Sequence, residues 1–308
     1  MENRSVELAE QTVLPVQPVR WRAMWKLARP HQWSKNALIF AALIFSQRLF
    51  HWHDVVLTVM ALIAFCAASS VGYIVNDISD READRRHPEK RHRPIASGAL
   101  KVGDAAAMAC VLGAVCTLLS VALGPWFVCL TAAYVALQFA YSLRLKHMVI
   151  VDVITIAVGF VMRAFAGGLA IRVEVSPWLV FITFVLALLL ALARRRHELI
   201  VLGVGAASHR SSLDHYSVRL IDQMISIFAA ATLVGYMIYT ASPDVERKLG
   251  TGHLYLTVPF VVLGILRYLY LIVEKGEGGD PSRLLLKDRT LLMSVVLWVA
   301  ADVIILYL

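Results

Sequence analysis

Charge is scarce in this chain. Asp, Glu, Lys and Arg together make up 17% of 308 residues, and acidic side chains are the fewer, 22 against 30 basic. Cysteine is scarcer still. Cys66, Cys110, Cys116 and Cys129 all sit inside apolar runs, which reads as small buried hydrophobes and argues against a disulfide framework or a cysteine metal site. Strand-like alternation is missing, and so are G-x-x-x-x-G-K-[ST] and H-E-x-x-H, so an ATP-driven pump or a zinc protease finds no support. The first 20 residues are polar and lack the apolar centre of a cleavable leader. They read as a flexible cytoplasmic tail, with residues 21–308 forming a single domain.

What fills the chain instead is hydrocarbon. Hydrophobic residues account for 59% of it and the mean hydropathy is +0.67, which predicts an all-α polytopic membrane protein. Trp21, Trp25 and Trp33, mixed with Arg22, Lys26, Arg29 and Lys35, make an amphipathic entry at the interface. Nine apolar segments follow: Asn36–Phe50, Val55–Val75, Ala105–Leu123, Trp126–Tyr141, Val149–Ile171, Pro177–Ala193, Met224–Thr240, Tyr255–Val273 and Leu291–Leu308. The first is short for a crossing. With the N-terminus inside, 24 Lys and Arg fall in inner segments and 4 in outer ones, an asymmetry that puts the large loops in the cytoplasm and the C-terminus outside.

The stretch Asn76–Gly98, NDISDREADRRHPEKRHRPIASG, joins acid to base. Asn76, Asp80 and Asp84 stand at i, i+4 and i+8 on one helix face, and carboxylates that repel one another are usually gathered for a hard divalent cation. The second half carries Arg85, Arg86, Lys90, Arg91 and Arg93, with His87 and His92. Positive-inside bias accounts for many of these bases; it does not account for the stacked acids.

Other loops add polar groups. YSLRLKHMVIVDV holds Tyr141, Arg144, Lys146 and Asp152, the last a costly ionisable group at the mouth of an apolar run. A salt bridge from Asp152 to Lys146 or Arg163 is the plain alternative to a metal or ligand role. Arg163 lies mid-run, where it neutralises Asp152 or touches an anionic ligand, and Gly167 and Gly168 after it permit close helix packing. Arg194, Arg195 and Arg196 point three ways from one helix, so one or two are expected at a phosphate and the rest at lipid headgroups. Tyr216 and Arg219 can extend that loop over a site, and Arg267 lies in the inner half of the eighth run. Asp288 and Arg289 read as a cap and a snorkelling cation. Acidic groups from two loops and basic groups from four describe an enzyme that binds a diphosphate through Mg²⁺ beside a membrane-embedded lipid site.

N-D-x-x-D-x-x-x-D after the second run, YSLRLK followed by an Asp before the fifth, and nine runs resemble the UbiA superfamily of intramembrane prenyltransferases over nearly the whole chain. ARPHQWSKN, DREADRRHPEKRHRPIASG, RRRHEL, VPFVVLGILRYLYL and GGDPSRLLLKDR resemble its phosphoribosyl-transferring branch. The resemblance implies a UbiA-type bundle of nine helices around a central cavity. It implies Mg²⁺-dependent transfer of 5-phosphoribose from phosphoribosyl diphosphate to a polyprenyl phosphate, at the plasma membrane, feeding arabinan synthesis for the cell wall. Asp80, Asp84 and Asp152 are then the catalytic candidates, and Asn76, Asp80 and Asp84 the metal ligands. Lys35, Asn76, Tyr141, Lys90, Arg93, Lys146, Arg163, Arg194 and Arg195 are the substrate-binding candidates. Expected partners are the two substrates and the bilayer, with no nucleic acid; a homo-oligomer stays open. The superfamily's second D-x-x-x-D is broken here, since Ile156 stands four positions after Asp152. That favours the phosphoribosyl branch over an aromatic polyprenyltransferase of the 4-hydroxybenzoate or haem type. An anion transporter is the reading from another class, and acids clustered at the cytoplasmic rim do not suit a translocation path.

Overall fold

The computed structural model describes residues 20–86, 90–202 and 215–308. Of the expected tail only Arg20 falls within it; His87 and the segment 203–214 also lie outside the described residues. Among the described residues the regular structure is entirely helical. A short interfacial helix, α1 (Arg20–Ala28), leads into a 3₁₀ stretch, Pro30–Ile39, and α2 (Phe40–Phe45). Then come α3 (Trp52–Ser79), α4 (Arg81–Arg86), α5 (Val102–Leu123), α6 (Pro125–Leu143), α7 (Val151–Ala170) and α8 (Pro177–Leu202). The chain ends with α9 (Val218–Thr240), α10 (Pro243–Leu249), α11 (Val258–Val273), α12 (Pro281–Lys287) and α13 (Arg289–Tyr307).

Eight helices among the described residues are long and apolar enough to cross a bilayer: α3, α5, α6, α7, α8, α9, α11 with its preceding turn, and α13. The exception to the nine-helix expectation is Asn36–Phe50. Its residues are split between the end of the 3₁₀ stretch, the six-residue α2 and a turn, so no continuous span-length helix forms there.

Local chemistry explains the frame. At ~1.5 Å per residue α3 extends roughly 42 Å, well beyond a hydrocarbon slab of ~30 Å. Its last turn therefore carries Asn76 and Asp77 clear of the apolar region. Gly124, at φ 115°, and Pro125 at the first position of α6 close a one-residue link between α5 and α6.

Helix α7 is shared by both halves of the core. Val153 and Ala157 pack with α8, α9 and α11, whereas Ala166 and Ala170 pack with α2, α3 and α6. The expectation of close packing at Gly167 holds: a Cβ there would stand 2.1 Å from the Ile39 carbonyl oxygen. Bare backbone is what lets the 3₁₀ stretch lie against α7.

The 3₁₀ stretch has a threefold burial pattern. His31, Ser34 and Ala37 are exposed, Gln32, Lys35 and Leu38 are partly buried, and Trp33 precedes the buried pair Asn36 and Ile39. Side chains three apart eclipse in this helix type, so each set forms one column. Arg29 starts the stretch in the left-handed region at φ 54°, because Pro30 disfavours the right-handed helical region for the residue before it. Such a backbone costs about 1–3 kcal/mol. It is held by the Arg29 guanidinium on Asp77 Oδ1 at 2.5 Å and by its stacking over Tyr73 at 5.1 Å.

Candidate active site

The acidic face continues across the junction of α3 and α4. Asp80 N–H donates to the Asn76 carbonyl at 2.9 Å and Asp84 N–H to the Asp80 carbonyl at 2.8 Å, so the four-residue spacing survives the change of helix. The three predicted metal ligands thus stay on consecutive turns. Asp80 receives both bonds from Lys146 Nζ, at 2.9 and 3.0 Å. Asp84 is buried and accepts from Arg93 Nη1 at 2.6 Å. The same nitrogen donates to Asp77 Oδ1 at 3.0 Å, so Arg93 joins two carboxylates. Asp77 was not among the site candidates. Its signal was present, since Asp77, Asp80 and Asp84 fall at i, i+3 and i+7 of the quoted motif.

Lys146 and Arg93 were expected on phosphate; here they stand against the carboxylates. Asp152 departs from its expectation too. It is fully buried, and the partners that hold it come from farther along the chain. Arg195 Nε donates to its Oδ2 at 2.7 Å, and the Tyr216 hydroxyl donates to its Oδ1 at 3.3 Å. Tyr216 also accepts from the Ile150 N–H at 2.7 Å, holding a β-branched residue at φ 67° just before α7. The Tyr216 hydroxyl is pushed up to about 12, by burial first and by the Asp152 charge second.

Of the arginine triplet, only Arg194 is open, its side chain 46% exposed and loosely paired with Glu198 at 3.4 Å. Arg195 is 1% exposed, and its donors are taken by Asp152, Glu198 and, at 3.1 Å, the Tyr141 hydroxyl. Arg196 is buried on Asp222 and the Ile272 carbonyl. The expected split between phosphate and lipid headgroups therefore fails for Arg195 and Arg196, because acids inside the fold claim both. Arg267 pairs with Asp288, which also caps α13 through the Leu291 N–H at 2.8 Å, as its position before that helix suggested.

A second pole is purely cationic. Arg163 is buried about 16 Å along α7 from Asp152. Its three donating nitrogens meet only neutral oxygens: Asn36 Oδ1 at 2.7 Å, the Gly159 carbonyl at 2.6 Å and the Tyr134 hydroxyl at 2.6 Å. Its guanidinium also stacks on Tyr134 and Phe160, at 5.0 and 5.2 Å. Asn36 and Tyr134 were missed as site residues, and nothing in their own spacing marked them. Lys35 stands one column over from Asn36 and makes no hydrogen bond or ion pair among the described residues. Burial lowers its ammonium pKa from 10.5 to about 7, and the Arg194 and Arg163 charges push the same way, with Arg29 adding to them and only Asp280 opposing. Lys90 lies within electrostatic reach of Asp84, Arg93, Arg194 and Glu198, between the two poles.

A divalent ion fits this donor set in chemistry. Asp80 is 30% exposed on its side chain, the Asn76 amide makes no hydrogen bond among the described residues, and Lys146 and Arg93 mark where positive charge is already required. No three acid, histidine or cysteine groups converge on one point among the described residues, so the carboxylates would have to turn from their present cations.

The chain is similar to known proteins on several counts. Residues 37–295 match the model of the UbiA prenyltransferase family. A decaprenyl-phosphate phosphoribosyltransferase from Corynebacterium glutamicum is 34% identical over 290 residues, 92% of this chain and 87% of that protein. One from Mycolicibacterium smegmatis is 33% identical, covering 89% of each. Among solved structures, a UbiA homologue from Archaeoglobus fulgidus bound to GPP and Mg²⁺ superposes with a TM-score of 0.68 at 17% identity, over 93% of this chain and all of that one. A digeranylgeranylglyceryl phosphate synthase gives 0.65 at 15% identity, covering 92% of this chain and 99% of the other. Bundle architecture, the acidic motif at the α3–α4 junction and relatives matched nearly end to end agree: this integral membrane protein belongs to the UbiA prenyltransferase family.

Proposed function

We propose that the protein transfers 5-phosphoribose from phosphoribosyl diphosphate to a polyprenyl phosphate and releases diphosphate. One observation carries this reading: Arg163 is buried and Lys35 near it half-buried, and among the described residues no carboxylate is bonded to either. An unpaired buried cation costs several kcal/mol unless an anion is brought to it. A prenyl diphosphate with an aromatic acceptor such as 4-hydroxybenzoate brings one phosphate-bearing group, which the acidic pole would take with its metal, and a single carboxylate. Phosphoribosyl diphosphate and a polyprenyl phosphate bring three, so a second, metal-free anion subsite is needed. The relatives named as phosphoribosyltransferases support the same choice.

Asn76, Asp80 and Asp84 would hold Mg²⁺, with Asp77 fixing Arg29 and Arg93 around them. The ion would neutralise the leaving diphosphate as the C1–O bond breaks. Lys146 and Arg93, on leaving the carboxylates, become donors for phosphate oxygens. Lys35 and Arg194 hold a second phosphate, and Arg163 acts on it through its field and through Asn36. Asp152 is a positioning residue: it fixes Arg195, which in turn fixes Tyr141. The acceptor phosphate is ionised at pH 7 and needs no strong base. Attack opposite the diphosphate inverts the anomeric carbon.

The cytoplasm would hold the N-terminus and both poles, with the C-terminus outside, the plasma membrane as location and cell-wall arabinan as the destination of the product. The test is donor choice. Purified protein with Mg²⁺ and polyprenyl phosphate should yield a labelled lipid from labelled phosphoribosyl diphosphate. Prenylation of 4-hydroxybenzoate from a prenyl diphosphate, with phosphoribosyl diphosphate ignored, would reject the reading.

A further inference from the structure

The far end of the bundle carries a second polar cavity, unrelated to the two poles. Asp54, near the start of α3, is 26 residues from Asp80, about 39 Å along the helix. Around it lies a cavity of about 420 Å³ lined by Arg48, His53, Asp54 and Arg172, with Leu57 and Leu123 below them. Four non-glycine residues among the described ones have left-handed backbones: Arg29, Gln47, Ile150 and Arg172. Two of them hold the active site. Arg172 stands in the cavity wall and Gln47 precedes its neighbour Arg48 in sequence; each closes the end of a helix, with Val173 N–H on the Gly168 carbonyl at 2.9 Å after α7 and Arg48 N–H on the Leu43 carbonyl at 3.1 Å after α2. Gln47 is fixed by its amide on the Leu249 carbonyl at 2.7 Å.

The charges are unbalanced. Arg48 Nη1 donates to Asp54 Oδ2 at 3.3 Å, which uses one nitrogen of that guanidinium and the only acid in the lining. Arg172 has no side-chain partner among the described residues, and His53 has none either. Both guanidinium groups line the same cavity. Two guanidinium forks over one hollow suit the oxygens of a phosphate. The rest of the lining is apolar, Leu57, Ala122, Leu123, Ala170 and Ile171, and nearby on α5 Leu118 and Val121 are 72% and 63% exposed. A polar hollow above a bare hydrocarbon face is the shape of a headgroup seat with acyl chains beneath it.

We propose that Arg48, His53 and Arg172 bind the phosphate of an anionic glycerophospholipid in the leaflet opposite the active site, pinning α3, α5 and α7 together. The inference rests on the membrane fold and is independent of the transferred group. The test uses full-length, delipidated protein in detergent. Native mass spectrometry and thermal shift are followed with dioctanoylphosphatidylglycerol, dioctanoylglycerol and inorganic phosphate as probes. The phosphatidylglycerol should bind and raise the melting temperature; dioctanoylglycerol, which lacks the phosphate, should not. In Arg48→Gln/Arg172→Gln its affinity should fall on the order of tenfold or more, the effect of losing charge-assisted bonds. Arg172→Lys, which keeps charge and loses the fork, should fall between. Transferase turnover, unchanged in each variant, reports the fold. Equal phosphatidylglycerol affinity in the double variant overturns the site. Variant-sensitive stabilisation by inorganic phosphate at the same concentration overturns the lipid and leaves a free-anion site.

Discussion

Lys35 gives a prediction with a number attached. In the empty site burial and neighbouring arginines bring its ammonium to about 7. A phosphate binds the charged form, so apparent affinity scales with the fraction protonated. That fraction is about one half at pH 7, about a tenth at pH 8 and about a hundredth at pH 9 by the ordinary titration relation. The sign follows: raising pH removes the charge, and kcat/KM for the substrate seated on Lys35 falls roughly fivefold from pH 7 to 8 and roughly fiftyfold to pH 9. The substrate cannot cause this, since a phosphate monoester has its second pKa near ~6 and is already dianionic throughout. Each substrate is varied in turn with the other saturating, in buffers of constant ionic strength. Lys35→Arg keeps its charge across the range and should flatten the profile. A flat wild-type profile for both substrates, or a Lys35→Arg profile that still falls, would refute the reasoning.

Further outcomes follow from the same geometry. Asp80→Asn and Asp84→Asn should each lower turnover on the order of 10²-fold or more, and EDTA should abolish it, as measured by labelled lipid product. Asp84→Asn should also lower the melting temperature, since it strips a buried partner from Arg93, whereas the half-open Asp80 should tolerate the change. Arg195→Gln takes the guanidinium from the buried Asp152 carboxylate and should cost about 3–5 kcal/mol of stability, read from detergent-phase unfolding; a loss below ~1 kcal/mol would mean the pair is dispensable. Gly167→Ala sets a methyl against the Ile39 carbonyl and should cost about 1–3 kcal/mol while displacing Lys35, so stability and kcat/KM should drop together. A reporter fused after Leu308 should read outside the cell while one at the N-terminus reads inside; the same side for both would end the nine-crossing topology.

Much of this molecule was legible in its residues. Apolar runs of eighteen or more residues define α3, α5, α7, α11 and α13 by length alone, and the i, i+4, i+8 acids stay in register across the break after Ser79 because the backbone bonds do. Pairing was not legible. Asp152 was set against Lys146 or Arg163, neighbours in sequence, whereas its partners Arg195 and Tyr216 come from 43 and 64 residues away. Which cation reaches which acid is fixed by helix packing, and periodicity carries no information about that. The first apolar segment takes a form that its composition does not show. Asn36–Phe50 has the composition of a short crossing, but the Arg29–Pro30 junction and the gap beside Gly167 select a tighter helix there.

That tighter helix has an integral repeat, and so it behaves like a reading frame. Along an α-helix, inserting one residue turns everything downstream by about 100°, an angle that side chains can partly absorb. Along Pro30–Ile39 one residue is a third of a turn, and a single insertion moves every later residue into the wrong column. Inserted before Lys35, it would send the ammonium to the face of Asn36 and the Asn36 amide out to the exposed side, displacing the Lys35 charge and Arg163's acceptor in one step. An insertion of three residues keeps every column in phase and lengthens the stretch by about 6 Å. Length variation among natural or designed versions of this segment should therefore come in threes.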